Sequence, residues 1–156
     1  MPMTQEVSRV VELLDSTRNV IYGMEVDEAR AIVARGDPDE IRRIDGHFAL
    51  VGTDGTTVRM VRTLDRPLRY FIAKRASGPA LVVSDRIDAI HRWLQCNGLD
   101  DQFHPSYTRM VPAHHVVEVR LIGCPDPNPT YQRFFTPVRG TLPADEGVIG
   151  ERYVRA

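Results

Sequence analysis

The sequence has little of the features that assign a protein to a specialised class. Its 156 residues include two cysteines, which form neither a disulfide framework nor a zinc-binding spacing. No apolar run is long enough to span a bilayer. The first residues also lack the basic segment and apolar run of a secretory signal. We therefore expect a cytoplasmic protein with no membrane partner.

An excess of charge of one sign is also missing. The chain has 20 Lys and Arg against 21 Asp and Glu, a formal net charge of −1, so no overall basic excess attracts nucleic acid. The basic residues between positions 59 and 75 lack the interleaved exposed aromatic residues of a nucleic-acid surface. With 42% hydrophobic and 26% charged residues, the composition is typical of a globular domain that buries a core.

The hydrophobic pattern predicts an α+β chain. Apolar residues at helical spacing predict helices over residues 4–15, 26–35 and 86–95 and from residue 143 onward. Gly36 ends the second of these helices, and Asp85 caps the third. β-prone runs predict strands over residues 19–22, 47–52, 57–62, 67–73, 80–83 and 116–121. Because four of these strands follow one another closely, we expect an antiparallel meander within one sheet.

Several short segments carry a resemblance to a known family. The segments, in chain order, are Asp45–Val51, Pro67–Phe71, Val83–Ile90, Val111–His115 and Phe134–Pro137. Their residues and their order resemble the class II glutamine amidotransferase domain of the asparagine synthetase family. The tail, residues 149–154, is similar to the first helix of the synthetase domain that follows in that family.

The resemblance implies an incomplete Ntn-hydrolase-like layered fold of the α+β class, with an antiparallel sheet and flanking helices. It divides the chain into an amidotransferase-like domain over residues 1–140, without its first strands and nucleophile, and a synthetase-type helix or linker over residues 141–156. Loss of the first strands would leave an apolar sheet face uncovered. We therefore expect association with a synthetase domain, in cis or in trans, or with a second copy of the chain.

The resemblance also implies that this chain has no catalytic residue. In the family, an N-terminal cysteine attacks the glutamine amide and its own α-amine is the base. Here position 2 is Pro2, and neither Cys96 nor Cys124 can become N-terminal. Ala113 stands at the glycine of the family's turn. The Ser-Gly-Gly-x-Asp-Ser loop that binds ATP in the synthetase domain does not occur, so ATP and Mg²⁺ are implied only for that absent domain, and this chain holds no cofactor.

Glu25 and Asp27 are the candidates for a substrate site, since the resemblance places a glutamine-binding acid near them. The alternative is that both acids stabilise the positive end of the helix predicted from residue 26. His104, His114 and His115 suggest a metal site. However, adjacent histidines on a strand point to opposite faces and no acidic or cysteine partner lies at ligand spacing. We expect no metal.

The resulting hypothesis is a non-catalytic scaffold domain of an asparagine synthetase-like, ATP-dependent ligase that forms asparagine, a β-lactam or a macrolactam. The lactam-forming members of the family also lack the N-terminal cysteine. One alternative is a stand-alone protein-interaction module derived from that domain. Another is an active glutamine-hydrolysing asparagine synthetase domain whose true start lies upstream.

Overall fold

The computed structural model describes residues 10–73, 75, 79–121, 128–140 and 144–156. The strands are β1 (Val10–Glu12), β2 (Val20–Tyr22), β3 (Asp45–His47), β4 (Ala49–Asp54), β5 (Thr57–Arg62), β6 (Arg69–Ile72), β7 (Leu81–Ser84), β8 (Thr108–Met110), β9 (His115–Arg120) and β10 (Thr130–Arg133). The helices are α1 (Val26–Arg35), α2 (Pro38–Ile41), α3 (Ile87–Cys96) and α4 (Glu146–Arg155). The chain is therefore of the α+β class, as the pattern predicts.

Most of the strands belong to two four-stranded sheets. The first sheet has the order β1-β7-β6-β8, and the second has the order β10-β9-β5-β4; β2 and β3 form a separate pair. Neighbouring strands are antiparallel except β1 and β7, which are parallel. The expected single meander is therefore wrong, because the hairpins β4–β5 and β6–β7 lie in different sheets.

The two sheets face each other across a shared apolar core. Val51, Met60 and Val117 of the second sheet are buried in one cluster with Tyr70 and Val83 of the first. The other face of the second sheet packs against α1 and α2, and the other face of the first sheet packs against α3. The layers therefore follow the order helix, sheet, sheet, helix. Strands covered on both faces have continuous apolar runs, such as Leu81–Val83.

The helix expected over residues 4–15 is wrong for the residues that the structure describes. Val10–Glu12 form strand β1, which pairs in parallel with β7 and places Val10 opposite Leu81. The Leu13 N–H then donates to the Val83 carbonyl at 2.8 Å. The open edge of the buried strand β7 supplies hydrogen-bonding groups, and pairing with them prevails over the local helical spacing. Residues 1–9 lie outside the described ranges.

Of the other local signals, the end of α1 and the first hairpin turn are confirmed, whereas the cap predicted for α3 is wrong. Helix α1 has the predicted bounds and ends at Gly36, whose φ is 77°. The predicted hairpin turn joins β4 to β5, with Gly55 at a φ of 57°. Asp85, however, does not cap α3: it forms an ion pair with Arg18 at 2.6 Å. The residue at the start of α3 is Arg86, whose N–H donates to Ser84 Oγ at 3.3 Å.

The C-terminal helix α4 begins at the cap Asp145, which accepts the Val148 N–H at 3.1 Å. It has no buried residue, and its side chains Tyr153 and Val154 are 83% and 85% exposed. The expected domain boundary adjoins residues 141–143, which lie outside the described part of the chain. None of the helices in the described ranges combines the length and the apolarity needed to cross a membrane.

Gly52 marks a close contact between β4 and helix α1. A Cβ at this position would lie 2.4 Å from the backbone N of Ala34 and 2.7 Å from the carbonyl O of Arg30. Because these are helix backbone atoms, the whole of α1 must move to admit a methyl group. We expect Gly52→Ala to lower the free energy of unfolding by about 1–3 kcal/mol, measured by urea unfolding followed by circular dichroism.

The matched control is Gly150→Ala in α4, where an added Cβ would meet open space. Because alanine favours a helix over glycine, that substitution should not lower the unfolding free energy and should raise it by no more than about 1 kcal/mol. Equal effects of the two substitutions would show that α1 does not press on β4 at Gly52.

Candidate ligand-binding cavity

A cavity of 320 Å³ opens at one end of the second sheet. The strand register brings its walls together, because Ala49 lies opposite Arg62 and His115 lies opposite Arg133. The end of β5, the start of β9 and the end of β10 therefore lie at the same end of the sheet. The lining residues are Arg42, Ile44, Asp45, Gly46, Phe48, Thr63, His114, Phe134 and Phe135.

The Arg62 side chain forms hydrogen bonds with backbone carbonyl groups at this end of the second sheet. Its side chain is buried, and its Nε donates to the carbonyl O of Val111. Its Nη1 lies 3.3 Å from the carbonyl O of Thr63 and 3.1 Å from that of Leu64. Thr63 and Leu64 begin the link from β5 to β6, and Val111 begins the link from β8 to β9. One guanidinium therefore binds two of the links between the two sheets, those after β5 and after β8; a third link runs from β1 to β4 through β2, α1, α2 and β3.

His114 takes a backbone conformation that is rare outside glycine, with a φ of 60°. Its N–H donates to the Arg62 carbonyl at 3.0 Å, and its own carbonyl accepts the Phe134 N–H at 2.9 Å. These two bonds fix the backbone and direct the imidazole to the cavity. His114 is thus the residue of this turn that takes the left-handed conformation. The family resemblance instead places the glycine of the turn at Ala113.

The His114 ring has unused hydrogen-bonding capacity. It meets the rings of Phe135 and Phe134 nearly at right angles, with centroid distances of 4.9 and 6.1 Å. Burial lowers its pKa, and the charges of Arg133 and Arg62 lower it further. The ring is therefore neutral near pH 7, with one nitrogen as donor and the other as acceptor. Neither nitrogen has a hydrogen-bond partner among the described residues.

Two opposite charges stand at the mouth of the cavity. Arg42 follows α2 and Asp45 begins β3, and both are exposed. They line the same cavity, yet neither forms an ion pair or a side-chain hydrogen bond within the part of the chain that the structure describes. The cavity therefore offers an unpaired cation and an unpaired anion beside aromatic walls.

The hydroxyl of Thr63 is already engaged. Its Oγ accepts the Phe48 N–H at 3.0 Å and donates to Asp65 at 2.9 Å. Asp65 also pairs with His47 at 2.6 Å. Burial raises the pKa of Asp65, but the bond from Thr63 and the charge of His47 outweigh burial, so this pKa lies below its ordinary value. These groups support the wall and leave Arg42, Asp45 and His114 to face a ligand.

The two predicted substrate-binding acids lie elsewhere. Glu25 occupies the cap position of α1 without a side-chain capping bond, and Asp27 lies in the first turn of that helix. Both are exposed, and neither lines the cavity. This placement suits acids that interact with a helix N-terminus. Their assignment to a glutamine site stays a prediction.

The cavity was not predicted from the sequence, although the segments that carry the resemblance supply much of its lining. Asp45, Gly46 and Phe48 come from one such segment, His114 from a second and the two phenylalanines from a third. Long stretches of chain separate the three segments, and only the sheet register brings them together. As for metals, the described ranges contain no group of three His, Cys, Asp or Glu that could hold an ion.

The lowered pKa of His114 predicts a pH dependence of stability. In the unfolded chain this imidazole titrates near 6.5, and in the folded protein it titrates lower. Acid therefore protonates the unfolded state first, and stability falls as the pH drops through 6.5 toward the folded pKa. We expect the wild type to lose more stability than His114→Asn between pH 7.5 and pH 5.5. Asparagine is the chosen substitute because it tolerates positive φ.

Urea unfolding of both proteins at the two pH values measures this difference. The two proteins share every other titrating group, so the difference in pH dependence isolates His114. A larger acid loss in His114→Asn than in the wild type would mean that the folded protein favours the charged imidazole.

Comparison with known proteins assigns neither a family nor a function to this geometry. No protein-family model, no curated protein and no solved structure matches the chain. The function must therefore be argued from the residues of the chain and from their arrangement.

Proposed function

We propose that this chain is a non-catalytic scaffold domain, with an Ntn-hydrolase-like layered fold, of an asparagine synthetase-like, ATP-dependent amide- or lactam-forming ligase. The observation that carries the proposal is the layer order of helix, sheet, sheet and helix. A complete domain of the resembled family has two sheets packed between helices, whereas one sheet was expected in this chain. The sequence segments that carry the resemblance also occur in the family's order.

The exposed tail supports a scaffold role. Helix α4 has no buried residue, and its apolar side chains Ile149, Tyr153 and Val154 are 38%, 83% and 85% exposed. Exposed apolar side chains on one helix mark a surface that another protein covers. In the proposed role the synthetase domain covers it, in cis or in trans.

The placement of Cys96 supports the absence of catalysis. Cys96 ends α3, in an outer helical layer, and its thiol is free and exposed. No base pairs with it among the described residues, whereas a nucleophilic thiol needs an adjacent proton acceptor. Cys124 lies outside the described ranges. A free exposed thiol also suits the reducing cytoplasm. ATP and Mg²⁺ belong to the partner domain in this proposal.

The test of this function is co-expression with an asparagine synthetase-type ATP-pyrophosphatase domain from the source genome, followed by size-exclusion chromatography with light scattering. We expect one complex that releases no ammonia from glutamine. Tyr153→Ser should weaken the complex about tenfold, because a large exposed aromatic anchor is lost. The control Arg152→Ser removes a neighbouring side chain of the same helix and should leave the affinity within about twofold.

Each other outcome has a definite reading. Ammonia release would contradict the non-catalytic role and favour an active domain. Separate elution of the two proteins would contradict the scaffold role and favour a stand-alone interaction module. Equal losses of affinity in Tyr153→Ser and Arg152→Ser would show that α4 is not part of the interface.

A further inference from the structure

The side chains that line the cavity indicate the chemistry of its ligand, independently of the proposed family. Phe48 and Phe134 are buried in its walls, and Phe135 is 38% exposed. Aromatic rings of this kind favour a flat or apolar ligand body. The volume of 320 Å³ lies at the lower end for small-molecule sites, which suits a ligand of about a dozen non-hydrogen atoms.

The charges at the mouth restrict the ligand further. A ligand with a single negative charge would be attracted by Arg42 but repelled by Asp45. A ligand with a single positive charge would be attracted by Asp45 but repelled by Arg42. A phosphate ester carries more negative charge and is disfavoured more strongly beside Asp45. A dipolar head group with an ammonium and a carboxylate on the same carbon satisfies both residues, because each then gains a charge-assisted bond.

His114 adds a neutral contact between the charged mouth and the aromatic walls. Its φ of 60° is an unusual backbone state, and residues held in such states cluster at ligand sites. Its two ring nitrogens have no partner in the described part of the chain. The nitrogen that carries the proton can donate to a carboxylate oxygen of the ligand.

We infer that this cavity binds a free α-amino acid with an aromatic side chain, whose carboxylate pairs with Arg42, whose ammonium pairs with Asp45 and whose ring lies among the three phenylalanines. The site is separate from Glu25 and Asp27, which do not line the cavity. The inference uses none of the family resemblance, so it stands or falls separately from the proposed scaffold role.

Isothermal titration calorimetry of the full chain with L-phenylalanine tests the inference. Three further ligands each remove one feature: 3-phenylpropanoate lacks the ammonium, 2-phenylethylamine lacks the carboxylate and L-glutamine lacks the aromatic ring. We expect saturable binding of L-phenylalanine and affinities at least about tenfold weaker for the other three, since each loses one charge-assisted or aromatic contact.

Substitutions at the mouth of the cavity test which residue binds which charged group of the ligand. Arg42→Gln should weaken the binding of L-phenylalanine about tenfold and leave the binding of 2-phenylethylamine unchanged. Asp45→Asn should weaken the binding of L-phenylalanine but should not weaken the binding of 3-phenylpropanoate. Both residues are exposed, so the folded state should survive either change. The control is Arg43→Gln, since Arg43 is also exposed, adjacent in sequence and not part of the lining.

Four results would overturn the inference. The first is no saturable heat with L-phenylalanine up to millimolar concentration, and the second is equal or tighter binding of either singly charged analogue. The third is a preference for L-glutamine, which would indicate a polar site. The fourth is a loss of affinity in Arg43→Gln as large as that in Arg42→Gln. That result would show that positive charge near the cavity, and not a specific contact from Arg42, attracts the ligand.

Discussion

The structure depends on the hydrogen bonds of one buried guanidinium. The chain passes from the second sheet to the first after β5 and returns after β8, and both links begin at the same end of the two sheets. Each link leaves the ladder hydrogen bonds of its sheet, so its carbonyl groups need other donors. Arg62 supplies donors to carbonyls of both links. A guanidinium suits this role because it offers five N–H groups in a rigid plane.

The same contact positions the cavity. The Arg62 carbonyl accepts the His114 N–H, and the His114 carbonyl accepts the Phe134 N–H. The side chain of Arg62 therefore organises the links, while its backbone organises the cavity wall. A second polar contact joins the two sheets elsewhere, where Tyr70 of β6 and Tyr131 of β10 bring their hydroxyls within 3.0 Å. Burial raises the pKa of Tyr70, and the bond to Tyr131 raises it further.

The sequence predicted those features that neighbouring residues determine. Helix α1, its end at Gly36 and the hairpin turn at Gly55 depend on caps and glycine conformations within a few residues. Sheet membership could not be predicted in this way. The link after β5 begins with Thr63 and Leu64, and nothing local shows that it crosses to another sheet. Val10–Glu12 have helical spacing, yet they form a strand because the edge of β7 accepts them.

The candidate site shows the same division. The segments that line it were identified from the sequence, but as parts of strands and turns and not as walls of one cavity. The chain from Asp45 to Phe135 must be folded, and its register set, before these residues meet. The unpaired state of Arg42 and Asp45 is likewise a property of the folded arrangement. The continuous apolar runs Leu81–Val83 and Ala49–Val51 are signals in the sequence for layers on both sides of a sheet.

Urea unfolding of Arg62→Met, compared with Arg120→Met, tests most directly the claim that one guanidinium holds both links. Arg120 lies on β9 with a side chain that is 73% exposed, so it controls for the substitution itself. We predict that Arg62→Met lowers the free energy of unfolding by about 2–4 kcal/mol, because the buried Val111 carbonyl and the partly buried carbonyls of the other link lose a charged donor, while Arg120→Met changes it by less than about 0.5 kcal/mol. A loss in Arg62→Met as small as that in Arg120→Met would contradict the central role of Arg62.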